Sequence, residues 1–347
     1  MTIRTIFNPF PFYGNGNVGD DFMLDGFLKA LEGLKVQNKP IHCMSVHYPA
    51  SQELRFKTVT WNRPPNLGPE VIWAGIGDTP FQLTWGDWIL EMILGSAPEM
   101  KKAHQRLLIC SGAEAEIAPR KEDFAKAAAL FDRISARDQK SFEIFQGLGV
   151  PSDRLSLGAD LAHLSLRELS ATPSTLRAQI GVALATETMS DGDVAHAANF
   201  LRAHRESAVM VAGDIRNIPH HEAFVLNKMI ALGQVQPDYE LMCPKYHSEL
   251  LSDIYAPFAS CATLISSRYH GLLAGAWAGR RVGAIGRSSK VTALAEELGV
   301  PIARLPLEAR SLDRLQEEAV VVPREKLLGF CGLASDGVRF CLGSESA

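Results

Sequence analysis

The sequence has no large charge of either sign: 35 lysines and arginines stand against 39 aspartates and glutamates, a formal net charge of −4. Without a global basic field, binding to nucleic acid or to an anionic membrane along the surface is not expected, and any anion must be met by a local cation cluster. Long apolar runs are also missing. Nothing approaches the roughly 18 residues that span a bilayer, and MTIRTIFNPFPFYG lacks the apolar core and small-residue cleavage site of a secretory signal. The expectation is a cytoplasmic protein with no integral membrane segment. Cysteines number six, at 43, 110, 243, 261, 331 and 341, with no CxxC pair. Buried free thiols are therefore expected, Cys110, Cys243 and Cys261 lying in or beside apolar runs, with a Cys331–Cys341 pair as the alternative. Internal repeats, charge blocks and low-complexity tracts are absent as well.

What is present is a globular composition, 46% hydrophobic and 21% charged, over 347 residues, for which two domains are the natural expectation. Short apolar runs alternate with amphipathic stretches. IRTIF (3–7), VIWA (71–74), RLLICS (106–111) and RISA (133–136) read as strands, with helices at 20–34, 85–95, 121–131 and 138–148. The last of these puts Phe142, Ile144, Phe145 and Leu148 on one face and stops at Gly149 and Pro151. The polar segment RELSATPSTLRAQ (167–179) breaks the rhythm. After it, IGVALA (180–185), AVMVAG (208–213), YELMC (239–243), ATLIS (262–266) and RVGAIG (281–286) alternate with helices at 190–203, 220–232, 247–260, 269–279 and 289–298. The fold class is α/β: two Rossmann-like domains, 1–170 and 171–322, each a mostly parallel sheet flanked by helices, facing across a cleft. A tail over 323–347 is expected to pack back on the first domain, with its last few residues loose.

In an open parallel sheet, ligands sit beyond the carboxyl ends of the strands, where helix N-termini point their free N–H groups outward. The segment ATLISSRYHGLLAGAWAG puts Ser266, Ser267, Arg268 and His270 at such a place, beside a candidate anion site, while Leu272, Leu273, Ala276 and Trp277 carry the helix inward. The alternative is that Arg268 caps a neighbouring carbonyl and His270 is a satisfied interior histidine. GNGNVGDD (14–21) follows the first strand, and its glycines allow close backbone approach while Asn17 or Asp20 caps a helix. It fits neither the P-loop nor the GxGxxG spacing. Asp20 and Asp21 suit a metal, a general base or merely the helix dipole.

GIGDTP (75–80) and SGAEAEIAP (111–119) offer Asp78, Glu114 and Glu116 to a sugar or to acid–base work, or as solvated loop residues. SARDQKS (135–141) sets Arg137 in the same kind of turn as Arg268. Two guanidiniums, one from each half, suit a small dianion or trianion bridged between the domains; an ion pair with Asp138 or Asp160 is the alternative. GRSSKVTALAEELG (286–299) repeats the device with Lys290, a candidate for phosphate. His220 and His221 are adjacent and cannot both face one metal on a helix, so no zinc site is expected there.

Taken in order, these segments resemble the polysaccharide pyruvyl transferase family. ISARDQKSFEIFQGLGVPSDRLSLGADLAHL is similar to its Arg-Asp segment, helix and following Asp segment; SSRYHGLLAGAWAGRRVGAIGRSSKVTALAEELGV is similar to its Arg-x-His signature with the lysine-bearing helix behind it; GNVGDD resembles its Asn-x-Gly-Asp element. The likeness covers most of residues 8–300. It implies a GT-B-like arrangement and transfer of the enolpyruvyl-derived group of phosphoenolpyruvate to two sugar hydroxyls as a cyclic ketal, in exopolysaccharide or other polysaccharide biosynthesis. Two segments depart from the family pattern: GIGD stands in place of a glycine triplet, and SGAEAEIAP in place of a Gly-x-Gly-x-x-Pro turn.

By this resemblance Arg268, Tyr269 and His270 contact the donor, joined by Arg137, Lys290 and Ser267, with the second domain as the donor side. Asn17, Asp21 and Glu114 are expected to bind the acceptor on the first. Ketal formation needs an acid and a base. His270 is the expected acid, because imidazole titrates near about 6.5, and Asp20 the expected base, with Asp78 in reserve. No metal is obligatory and no cofactor is implied beyond phosphoenolpyruvate as co-substrate. The implied partners are that donor and a carbohydrate acceptor, free or lipid-linked, the latter bringing the protein to the inner face of the membrane. A nucleotide-sugar glycosyltransferase and a non-catalytic carbohydrate-binding protein of the same fold are the rival readings.

Overall fold

All nine apolar runs read as strands enter one of two sheets, and the second sheet repeats the order of the first six strands of the first. The computed structural model describes residues 5–35, 41–44, 57–59, 68–172, 174–216, 218–246 and 250–343. The chain divides into two units: residues 1–15, 20–165 and 328–347 form the first, residues 16–19 and 166–327 the second.

The strands of the first unit are β1 (Thr5–Asn8), β2 (Ile41–Met44), β3 (Lys57–Val59), β4 (Val71–Ile76), β5 (Gln105–Ser111), β6 (Arg133–Ala136) and β7 (Leu155–Leu157). They lie in the order β3-β2-β1-β4-β5-β6-β7, with every pairing parallel. The second unit has β8 (Ala178–Ala183), β9 (Ala208–Val211), β10 (Leu241–Met242), β11 (Cys261–Ser266), β12 (Arg281–Gly286) and β13 (Ile302–Arg304). Their order is β10-β9-β8-β11-β12-β13, again all parallel. A short β14 (Val320–Val321) runs antiparallel to β12. In each sheet the order reverses once, between β1 and β4 and between β8 and β11. That reversal opens a crevice at the carboxyl ends, where ligands of this fold class bind.

The helices are α1 (Val18–Gly33), α2 (Trp88–Gly95), α3 (Ala97–Met100), α4 (Lys121–Ala129), α5 (Gln139–Gly147), α6 (Ala162–Leu169), α7 (Asp191–Ala203), α8 (Glu222–Ala231), α9 (Leu251–Ala259), α10 (Tyr269–Trp277), α11 (Ser289–Leu298), α12 (Ser311–Glu318) and α13 (Arg324–Leu342). Helices on both faces bury the central strands completely: VIWAGI of β4 has no exposed position. Such strands therefore read as continuous apolar runs. In the second unit Ile180, Val182, Met210, Ile265 and Ile285 pack with Val194, Leu201, Leu312 and Leu315 in one core. Local signals set the ends: the Asp138 carboxylate accepts from Ser141 N (2.7 Å) to start α5, Ser190 and Asp193 form a reciprocal capping box on α7, and Gly299 at φ 73° ends α11.

Some elements differ from the sequence reading. The run at 239–243 shortens to two residues in β10, and β2, β3, β7 and β13 have at most four residues each, too few for a pattern. In α12 only Leu312 and Leu315 are buried. α13 occupies the segment read as a tail; Gly329, Gly332 and Gly337 obscure its period. Its residues from Leu328 belong to the first unit, where Phe340 O accepts from Arg133 (2.8 Å) and Cys341 Sγ donates to Leu108 O (3.6 Å). Cys110, Cys261, Cys331 and Cys341 are buried free thiols, but Cys243 is exposed, because β10 ends before it. The Cys43 side chain and the looseness expected of the last residues, 344–347, lie outside the described residues.

Candidate active site

The crevice of the second unit lies between the carboxyl ends of β8 and β11, and serine hydroxyls stitch it. Ser267 Oγ accepts from Ala185 N (2.7 Å) and donates to Ala185 O (2.9 Å), tying the two strand ends together. Ser266 Oγ accepts from Arg268 N (2.9 Å), and a Cβ at Gly271 would stand only 2.5 Å from that oxygen. The two hydroxyls therefore fold the turn. The Arg268 side chain, at the start of α10, runs over Gly213 to the start of α8.

Arg268 is held by Glu222, the first residue of α8. Its Nε donates to Oε1 at 2.7 Å and its Nη2 to Oε2 at 2.8 Å, a bidentate fork on a carboxylate with no exposed side-chain area. Burial opposes the charge on Arg268, but the field and hydrogen bonds of Glu222, with Asp214 and Glu187 beyond, raise its pKa above the usual value. The fork uses two of five guanidinium donors; Nη1 has no hydrogen bond among the described residues. Sequence reasoning offered a carbonyl as the alternative partner and missed Glu222.

A second acidic group, Asp214, follows β9. Burial alone would raise its pKa; hydrogen bonds from Arg216 and His221 and the charges of Arg216 and Arg268 outweigh it and hold the carboxyl at about 2. His221 Nδ1 lies 3.4 Å from Asp214, and its Nε2 lies 3.9 Å from Glu187. Glu187 in turn sits 2.9 Å from Arg287 Nη1, whose Nε donates to Ser267 O (2.8 Å). Arg216, Arg268 and Arg287 thus stand against Asp214, Glu187 and Glu222, three cations to three anions. The lattice is therefore formally neutral, and Lys290, half-buried, stands at the start of α11.

His270 rests on glycine. A Cβ added to Gly19 would fall 1.8 Å from His270 Nδ1, and one added to Gly213 would fall 2.8 Å from Arg268 Cδ. Residues 16–19 belong to the second unit: Asn17 bridges Asp214 in antiparallel fashion, Val18 N donates to Gly213 O (3.2 Å) and Ile215 N to Gly16 O (3.0 Å). Asn17 Oδ1 also accepts from Gly19 N (3.1 Å), capping α1. The GNVG element is thereby a floor beneath the histidine. Tyr269 is buried, with its ring 5.1 Å from that of His270.

In the first unit Arg137 follows β6, two strands away from the reversal, whereas Arg268 follows β11 beside it. The two are therefore not counterparts, contrary to the sequence expectation; alternation of strands and helices gives the turns but not the strand order. Arg137 lies 3.3 Å from Asp138 and 3.8 Å from Asp160, the ion-pair alternative, with its guanidinium over Gly112. The turn that does match that of Arg268 holds Gly77 and Asp78, both in the left-handed region, at φ 61° and 55°. Gly112 N donates to Asp78 O (2.7 Å). Asp20 and Asp21 are buried, and Asp21 Oδ1 accepts from Gly14 N (2.6 Å). Glu114 is buried with Oε2 accepting from Thr84 (2.8 Å), while Glu116 is exposed. No group of three or more His, Cys, Asp or Glu among the described residues could hold a metal ion.

The sequence model of polysaccharide pyruvyl transferases matches residues 17–289. The chain belongs to that family. No curated protein matches it in sequence. Solved structures are similar over nearly its whole length: the UDP-GlcNAc 2-epimerase of Neisseria meningitidis bound to UDP-GlcNAc (13% identity, 99% of this chain and 100% of that one, TM-score 0.61), the UDP-GlcNAc 2-epimerase of Methanocaldococcus jannaschii (10%, 96% and 98%, 0.60), and Anabaena HepE in complex with UDP and glucose (10%, 97% and 95%, 0.57). At these identities the likeness concerns the fold alone, the α/β, GT-B-like class. A polysaccharide pyruvyl transferase is a transferase of polysaccharide biosynthesis, and no described helix of this one is long and apolar enough to cross a membrane.

Proposed function

We propose that this transferase moves the enolpyruvyl-derived group of phosphoenolpyruvate onto two hydroxyls of a sugar, in a polysaccharide or its lipid-linked precursor, forming a cyclic ketal. The observation that supports it most is the signature pair: Arg268 and His270 stand at the start of α10, at the strand reversal, one forked on Glu222 and the other seated on Gly19. Arg268 Nη1, Lys290 and the N-termini of α10 and α11 receive the phosphate and carboxylate; Ser267, expected in the donor site, is instead spent on the strand ends, its hydroxyl on Ala185 and its N–H on Ala183 O. Tyr269 backs the imidazole.

His270 gives a proton to the methylene carbon, which becomes a methyl group and leaves C2 cationic. A sugar hydroxyl adds to C2 while Asp20, the residue after Gly19, takes its proton; Asp78 is the reserve base. Phosphate departs with the C2–O electron pair, and a second hydroxyl closes the ketal, losing its proton to the departing phosphate. The balance is one donor and one diol to one ketal and one phosphate, with no redox partner. Asn17, Asp21 and Glu114 serve the acceptor.

The test is incubation with phosphoenolpyruvate labelled with carbon-13 at C3 and a panel of unsubstituted and lipid-linked glycosides. A labelled ketal methyl with equimolar phosphate is the expected product; phosphate release without sugar adduct, or neither, refutes the reading. The fold likeness to UDP-binding proteins motivates one rival, a nucleotide-sugar transferase. Thermal stabilisation by UDP and not by phosphoenolpyruvate would favour that rival.

A further inference from the structure

Arg287 stands in the segment GRSSKV, just past β12 and one residue before Ser288, the N-cap of α11. Its side chain is 7% exposed, and that of Glu187, its partner at 2.9 Å, is 5% exposed. A buried pair of this kind adds little stability over well-packed apolar side chains. What it adds is direction, because a guanidinium is planar and its donors are fixed relative to one another. With Nη1 on Glu187, Nε donates to Ser267 O at 2.8 Å.

That carbonyl belongs to the peptide unit between Ser267 and Arg268. The N–H at the other end of the same unit, on Arg268, donates to Ser266 Oγ at 2.9 Å, and the Ser266 hydroxyl donates in return to Arg268 O at 2.9 Å. Ser267 is fully buried, so this peptide cannot turn without leaving a buried polar group unpaired. Arg268 is the N-cap of α10, whose first turn closes from Leu272 N to Arg268 O (3.1 Å). The orientation of one peptide therefore sets where the Arg268 side chain leaves the backbone and where α10, with His270, begins. The backbone of Arg287 is anchored as well, its carbonyl accepting from Thr188 Oγ1. One side chain consequently ties together the turns that follow β8, β11 and β12, and with them the starts of α10 and α11.

We infer that Arg287 is a positioning residue for the donor site: aimed by Glu187, it holds the Ser267–Arg268 peptide so that Arg268 and the N-terminus of α10 keep one orientation toward a small anion. It acts through that peptide and does not touch the donor. The inference rests on the reading of this crevice as the place where the phosphate and carboxylate of the donor bind.

The experiment uses the full chain and two probes, phosphoenolpyruvate and inorganic phosphate, in calorimetric titrations. Both test variants carry Glu187→Gln, so that the loss of Arg287 leaves no buried carboxylate without its cation. In E187Q/R287Q the new amide nitrogen is as many bonds from the backbone as Arg287 Nε and still donates to Ser267 O; in E187Q/R287M a methyl group takes that place. The first variant should bind phosphoenolpyruvate within about two-fold of wild type and the second about ten-fold more weakly, with the two melting at the same temperature. Equal affinity in the two variants overturns the inference, as does a loss of affinity that follows a loss of melting temperature, the mark of a merely structural arginine. Ser266→Ala frees the other end of the peptide and should weaken binding likewise; should E187Q/R287M unfold, unchanged affinity in Ser266→Ala overturns the inference. If wild type binds phosphate and not phosphoenolpyruvate, the donor reading fails while the same comparison made with phosphate decides the role of Arg287. Binding of neither anion by wild type overturns both.

Discussion

The turn beside the strand reversal presents Arg268 in one sheet and Asp78 in the other. Two sheets that share a six-strand order thus carry opposite charge at the same topological place. In the second unit the turn is rigid through charge: a buried carboxylate forks the arginine, and a lattice of three cations and three anions surrounds it. In the first the turn is rigid through backbone, with two successive left-handed residues pinned by Gly77 N to Ile109 O (2.8 Å) and Gly112 N to Asp78 O (2.7 Å). A reversal that fixes a guanidinium at a helix N-terminus suits a small anion. An acidic one suits hydroxyls. The fold sets the two crevices and the turn residues divide the labour.

The comparison can be broken from either side. His270→Ala should have the largest effect, lowering turnover at saturating donor by about 10²–10⁴-fold in steady-state assays, without unfolding the chain. Glu222→Ala leaves Arg268 buried without its fork and should cost about 3–5 kcal/mol in urea denaturation, whereas Glu222→Gln should cost less because hydrogen bonding survives. Gly19→Ala forces the imidazole off its seat 1.8 Å from the new Cβ; turnover should fall about 100-fold with a melting temperature close to wild type. Were activity unchanged, the floor beneath His270 would have no bearing on chemistry.

Smaller effects follow from single charges. Asp214 is held at about 2 when folded, below the ordinary aspartate value of 3.8, so its contribution is complete above pH 3.8 and is lost as pH falls toward 2. That contribution is about 2 kcal/mol, and denaturation curves between pH 4 and 2 should be flatter for Asp214→Asn. Asp78→Asn keeps a residue that tolerates the left-handed region and should shift stability by no more than about 0.5 kcal/mol; a larger loss would mean that charge, not conformation, holds the first turn.

The central strands and their helices were legible because burial on both faces writes uninterrupted apolar runs, and the turns after them were legible as ligand positions. Short edge strands such as β7 and the sparse α12 wrote no pattern. Within the site, Arg268 and His270 were legible by position, but their partners were not: Glu222 is 46 residues from Arg268, and Gly19 lies far from His270 in the chain. No local signal marks a long-range pair. A glutamate opening a helix reads as a dipole partner, and a glycine beside an aspartate reads as a turn. That the turns of Arg137 and Arg268 are not topological equivalents was hidden for the same reason, since strand order is a property of the sheet.

Calorimetric titration of phosphoenolpyruvate into the wild-type chain and into Arg268→Lys is the most direct test of the claim that a guanidinium fixed by Glu222 grips the donor anion. Binding by the wild type and a loss of at least about ten-fold in the variant is the expected result; equal affinity in the two proteins would contradict it.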